Sequence, residues 1–415
     1  MRLREKMAVP HGRNFLMVPG PSHVPDRILR AMHRQSVDHR SLDFPKITHS
    51  VLKDLKEFFQ TKEGTCFVFP ATGTGAWESC LSNTLNQGDK IISVRMGQFS
   101  HLWIDMMHRF GLDVLELDVE WGDGLPYDQI AALLRNDTRH EIKAVAVVQN
   151  ETTTGVYTNI PKVRQLLNQL NHPALLFVDG VSSIGSLEFK MDEWQVDVAV
   201  TGSQKGLSLP AGLGLVCARP KALALGMDKP KSSNLPSVFF SWKDMVDQNQ
   251  LGYFPYTPSV PLLWGLREAL DMFVVEEGIQ NVWARHHRFA EGVRRAVAAW
   301  GLRPIANKPE EYSDTVTTVL CPEGIDAQKI VATAYQKYNL SLGGGLMKLR
   351  GRVFRIGTLG DINELIILGT LAGTEMAMRD VGMPIKLGSG VAAAAEYFQQ
   401  TAIPTRGLSG TQAKI

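Results

Sequence analysis

Five short apolar runs constrain this chain more than any other feature: KIISV around Ile92, LDVLELD around Val114, IKAVAVV around Val145, ALLFVDG around Phe177 and VDVAVTG around Val198. Polar, helix-compatible stretches separate them. Because the runs are nearly continuous in Val, Ile, Leu and Ala, they predict strands buried on both faces of a mostly parallel sheet, with helices as the crossovers. The expected fold class is therefore α/β, and in such sheets ligands collect at the carboxyl ends of strands. From Pro258 onward the apolar period becomes helical. Leu263, Leu266, Leu270 and Phe273 share one stripe, with Arg267 and Glu268 off it, which predicts a long helix linking two domains. Beyond it, TVTTVL around Thr317 and KLRGRVFRIG around Val353 read as strands among helical segments, a smaller α+β domain. The expected boundaries are an N-terminal arm over 1–20, a large domain over 21–275 and a small domain over 276–385. A tail over 386–415, opening with a short Ala-rich helix, ends the chain.

A chain of 415 residues with 44% hydrophobic and 21% charged residues can bury a full core. The net charge is only +2 and no run of Lys and Arg is long enough for a nucleic-acid or membrane-surface patch, so a small molecule is the expected partner. Cys66, Cys80, Cys217 and Cys321 are scattered without a C-x-x-C pair, which favours reduced buried thiols over a disulfide framework or a zinc site. The basic N-terminus lacks the apolar run of a signal peptide, and no segment approaches the roughly 18 apolar residues that span a bilayer. The expectation is a protein neither exported nor embedded.

Three segments bear chemistry. TGSQKG places Lys205 directly after a buried strand, in a turn from which a side chain can project into a strand-end cleft. Taken alone, a loop lysine is as readily a solvated one. ALLFVDG puts Asp179 at the end of another buried strand, where a carboxylate can pair with a protonated pyridine nitrogen, or else cap a turn. FPATGTGAWES breaks a strand at Thr72, Gly73, Thr74 and Gly75 before a helix-compatible stretch, and backbone amides there can hold an anion around Thr74, Gly75 and Ala76. Many Gly-rich turns bind nothing, and this spacing matches neither a Walker nor a dinucleotide motif. The order of the three, Gly-rich turn, strand-end acid, strand-end lysine, is what chance does not explain.

That order, together with FLMVPGPSHVP, GQFSHLWID, NETTTGV, VDGVSSIG, GYFPYTPSVPLLWGL and FRIG, resembles the class V, fold-type I aminotransferases over nearly the whole length. Within the family the text is nearest the serine–glyoxylate enzymes. The resemblance implies pyridoxal phosphate as cofactor, Lys205 as its Schiff-base lysine and Asp179 as the partner of its ring nitrogen. It further implies Val181 and Phe99 on the two ring faces, Thr152 on the ring hydroxyl, and Gln204 with Thr74, Gly75 and Ala76 around the phosphate. Tyr256 and Thr257 would reach the phosphate from a neighbouring subunit, which implies a homodimer with shared sites. Arg355 would clamp the substrate α-carboxylate, a task suited to a planar guanidinium fork. Gly20, His39 and Arg40 would line the substrate end.

Two positions depart from the family text: Thr358 follows FRIG where His is common, and His39 stands where plant relatives carry Tyr. The second bears on donor preference. The implied reaction moves an amino group from L-serine to glyoxylate by a ping-pong route. Alanine–glyoxylate or a broad serine, alanine and asparagine specificity is the nearest alternative, and a lyase or desulfurase a remoter one, since Cys321 follows a strand rather than sitting on a mobile loop. The expected compartment is the cytoplasm. The terminal Ala413, Lys414 and Ile415 only loosely resemble the peroxisomal Ser-Lys-Leu address, which keeps the peroxisome as the alternative.

Overall fold

A computed structural model describes residues 12–230 and 233–402; the terminal tripeptide Ala413, Lys414 and Ile415 lies outside the described residues. Each of the five apolar runs forms a strand of one seven-stranded sheet. Its order is β2 (Thr65–Phe69), β10 (Gly214–Ala218), β9 (Val198–Gly202), β8 (Leu175–Asp179), β5 (Ile142–Val148), β3 (Lys90–Arg95) and β4 (Asp113–Asp118). The pairs from β9 through β8, β5 and β3 to β4 are parallel, while β10 is antiparallel to both β2 and β9. All five residues of β8 and of β9 are buried, as strands covered on both faces must be. LDVLELD differs: it is the edge strand, only half-buried, with its Asp and Glu residues in the exposed and intermediate positions. Charge on an edge strand discourages pairing with other chains.

A short hairpin, β6 (Asn150–Glu151) and β7 (Val156–Tyr157), follows β5 at the carboxyl end of the sheet. The second sheet has the order β1 (Phe15–Met17), β13 (Leu340–Gly344), β14 (Val353–Gly357), β12 (Val316–Leu320) and β11 (Arg303–Pro304). TVTTVL and the FRIG segment are thus strands, and the N-terminal strand joins them by pairing parallel to β13. Helices Ile279–Ala299, Ala327–Tyr338 and Glu364–Asp380 cover this sheet and close a separate core. The Ala-rich segment is the helix Ser389–Gln400, which docks on Ile279–Ala299 with Phe398 buried.

The connection between the sheets is less regular than its period predicts. Leu263, Leu266, Leu270 and Phe273 are buried as one stripe. The α-helix Val260–Leu270 then widens into a π-helix over Asp271–Glu276 before helix Ile279–Ala299 begins. Among the described residues no helix is long and apolar enough to cross a membrane, and all four cysteines are buried and unpaired.

Candidate active site

Strands β8 and β9 are parallel neighbours with Asp179 opposite Val200, so the chain leaves both at the same end of the sheet. Asp179 is the last residue of β8, and Lys205 lies in the turn that follows β9. Between them opens a cavity of about 370 Å³ lined by both residues and by Thr74, Phe99, Thr152, Val181, Gln204 and Gly20. Eight residues scattered over the sequence are thereby brought together.

Lys205 and Asp179 are both buried, and burial governs their chemistry. Loss of water lowers the Lys205 ammonium to about 8, the nearby Arg355 charge adding repulsion. Burial pushes the Asp179 carboxyl up to about 7, against the Val181 amide, which donates to its Oδ1 at 2.8 Å. Lys205 Nζ donates to the carbonyl oxygen of Pro19. Next to it, Gly20 has φ +96°, and a Cβ there would overlap the Lys205 side chain, so only glycine fits this turn.

Thr72 and Gly73 also line the cavity, at the N-terminus of helix Gly73–Thr84, which packs on β9 and β10. The Thr72 side chain does not cap that helix, which leaves first-turn amides for an anion. Gly75 and Ala76 sit within the same turn but do not line the cavity. At the opposite wall Thr152 Oγ1 donates to Ser182 Oγ at 2.8 Å, and Ser182 Oγ donates in turn to the Asn150 carbonyl. Asn150 Oδ1 and Gln204 Oε1 are buried without a hydrogen-bond partner among the described residues, although both residues line the cavity. Buried acceptors left in this way call for a ligand or water.

Arg355 is buried in the middle of β14, on the second sheet, and reaches toward this wall. Its Nε donates to Gly344 O at 2.9 Å and its Nη1 to Thr152 O at 3.0 Å. Burial lowers its guanidinium to about 10, still charged at neutral pH. Four expected residues stand apart from the cavity. His39 packs edge-on against Phe44, and Arg40 is exposed beside it. Tyr256 stacks on Phe239 at 4.5 Å, and Thr257 is exposed.

Among the lining residues that sequence reasoning missed are Trp77, Asn150 and Ser182. Each lies inside a segment that had been singled out: GTGAWES, NETTTGV and VDGVSSIG. For Asn150 and Ser182 the available signal was a position two or three residues beyond a strand end, whereas Trp77 lies inside the helix that follows the Gly-rich turn. An amine of lowered basicity, a carboxyl that resists ionising, an uncapped helix N-terminus and orphaned acceptors around one cavity fit pyridoxal phosphate. Lys205 would meet its aldehyde, Asp179 its ring nitrogen and the 72–74 turn its phosphate.

The comparisons with known proteins agree with this geometry. Residues 15–346 match the family model of class V aminotransferases. A serine–glyoxylate aminotransferase of Methylorubrum extorquens is 57% identical over 94% of this chain and 97% of its own. One from Arabidopsis thaliana is 53% identical over 95% and 98%. The crystal structure of ureidoglycine–glyoxylate aminotransferase from Bacillus subtilis superposes with a TM-score of 0.85 at 27% identity, covering 95% of this chain and 100% of that one. The family match over residues 15–346 and relatives more than half identical, together with a lysine and an acid at adjacent strand ends, make the chain a member of the class V, fold-type I aminotransferase family.

Proposed function

We propose that this aminotransferase uses pyridoxal phosphate to move the amino group of L-serine to glyoxylate, giving hydroxypyruvate and glycine. The observation that supports it most is Lys205 and Asp179 facing one cavity, with Arg355 beside it. The choice of substrates rests on relatives over half identical whose names specify serine and glyoxylate. The cofactor, when bound, supplies an aldehyde that condenses with amines and a ring that accepts the electron pair released at the substrate α-carbon.

The chain's own residues do the rest. Asp179 holds a positive charge at the ring nitrogen, and the turn at Thr74, Gly75 and Ala76 with Gln204 anchors the phosphate. Phe99 and Val181 flank the ring, and Thr152 engages its hydroxyl. Arg355 binds the α-carboxylate that serine, hydroxypyruvate, glyoxylate and glycine all possess. Lys205 Nζ, its basicity lowered by burial, removes the α-proton of serine and in the second half-reaction delivers one to the α-carbon of glycine. Gly20 leaves room for the substrate beside that amine, with His39 and Arg40 as further elements of the substrate end. Because the donor's product leaves before the acceptor enters, kinetics are ping-pong.

Tyr256 and Thr257 act from a second copy of the chain. Neither lines the cavity of its own chain, and the exposed apolar side chains Leu42 (93%) and Val238 (80%) suit burial between subunits. The boundaries at 20, 275 and 385 are kept as proposed domain limits, although Met17 and Phe398 pack in the core of the second sheet and Ile279, Val282 and Trp283 in that of the first. The site of action is the cytoplasm, with the peroxisome the alternative.

A broader donor range, including alanine and asparagine, is the second reading, since the Bacillus subtilis relative pairs a different donor with glyoxylate. A desulfurase reading fares poorly: burial pushes the Cys321 thiol up to about 12. Measuring kcat/KM for serine, alanine and asparagine against glyoxylate tests the assignment; it predicts serine highest, and a higher value for alanine would replace it.

A further inference from the structure

Glu151 is a carboxylate with no exposed surface, one residue before Thr152, and it does not line the cavity. Its Oε2 accepts the Ser100 amide at 2.9 Å and the Ser100 hydroxyl at 3.0 Å. Its Oε1 accepts the Thr153 amide at 3.0 Å and the Phe99 amide at 3.4 Å. The Gln98 amide donates to Thr153 Oγ1 at 3.1 Å, so the three leading amides of helix Gln98–Arg109 all end on the 151–153 segment. An anion at a helix N-terminus is favoured by the helix dipole. The approach is so close that a Cβ on Gly97 would overlap the Glu151 carboxyl group.

The two residues that Glu151 ties together both face the cavity. Phe99 is in the first turn of the capped helix. Thr152 follows Glu151 directly, and its carbonyl oxygen receives Arg355 Nη1. We propose that Glu151 is a positioning residue, whose buried carboxylate locks the Phe99 wall of the cavity to the Thr152–Arg355 wall so that ring and substrate carboxylate are held in one fixed relation. The negative charge also helps keep the buried Arg355 charged. The inference rests on the reading that the cavity holds pyridoxal phosphate.

Glu151→Gln tests it. The variant keeps the shape, removes the charge and turns an NH2 group toward backbone donors. Two properties are measured on the apoprotein reloaded with pyridoxal phosphate: the dissociation constant of the cofactor, and the visible circular dichroism per bound cofactor, which reports how rigidly the ring is held. The expected result is a dissociation constant raised about tenfold, the worth of one hydrogen bond to a charged group, with a weakened dichroic band. A variant that melts earlier yet matches wild type in both properties would show Glu151 to be only a helix cap, and would overturn the proposal. If Glu151→Gln does not fold, Ser100→Ala, which removes a single donor, must shift both properties in the same direction, and no shift overturns the proposal. Wild-type protein that binds no pyridoxal phosphate overturns the reading of the cavity together with this inference. Wild-type binding with indistinguishable variants overturns the inference alone.

Discussion

Arg355 donates from Nη1 to the carbonyl oxygen of Thr152 at 3.0 Å, and through this bond a strand of the second sheet meets the cavity wall of the first. Nη2 makes no hydrogen bond among the described residues, and Nε is engaged by Gly344 O at 2.9 Å. The guanidinium is thus braced on two sides with donors remaining for a carboxylate.

Replacing Arg355 by Lys keeps the charge and removes both braces and the fork. A charge-assisted bond of this kind is worth about 1.5 to 3 kcal/mol, so kcat/KM falls about tenfold or more. The fall is similar for serine and alanine, and the cofactor is retained. Loss of the cofactor, or a penalty confined to serine, would move Arg355 to another role.

Asp179→Asn preserves the acceptor that caps the turn, since the Val181 amide bonds only to Oδ1. The fold survives, while the charge at the ring nitrogen is lost. Turnover falls about a hundredfold or more with little change in melting temperature. Unaltered turnover would reduce Asp179 to a turn cap.

Lys205→Ala abolishes transamination. In the unaltered apoprotein the amine is neutral above about pH 8, where an ordinary lysine would remain charged to above 10. Its rate of capturing pyridoxal phosphate therefore rises with pH through a midpoint near 8. The same shift makes the unfolded chain the better proton binder between about 8 and 10.5, so the cost of burying Lys205 fades and stability rises with pH across that window. A capture midpoint near 10.5 would show an exposed lysine.

If Tyr256 serves the neighbouring subunit, mixing two inactive variants restores activity. In a hybrid dimer of Lys205→Ala with Tyr256→Ala, one site has neither lesion and the other has both. Equimolar mixing and subunit exchange regain about a quarter of wild-type activity. No recovery, with hybrids confirmed by mass, would place Tyr256 in its own chain's site or in none.

Strand identity and the lysine–acid pair were legible because burial on both faces leaves an unbroken apolar run and strand ends mark the cleft. β4 read like the interior runs, yet it is an edge strand: it pairs with β3 alone, and its Asp and Glu signalled the open side. The antiparallel course of β10 was not legible, since GLVCA is as apolar as its parallel neighbours and direction is set by the connection, not by composition. The π-helix after Leu270 escaped because the stripe through Phe273 is satisfied by either helix type. Asn150 and Ser182 went unnoticed for another reason. Their polar side chains gain meaning only when β6 and the turn after β8 are brought together, a contact between residues distant in sequence.

The half-reaction tests the central claim most directly. Wild-type protein loaded with pyridoxal phosphate is mixed with L-serine, without glyoxylate, and hydroxypyruvate is counted against active sites. The account predicts one hydroxypyruvate per site and then no more, with an equal amount of glycine once serine is removed and glyoxylate is added. Continued release of pyruvate and ammonia, or no keto acid until glyoxylate is present, would contradict it.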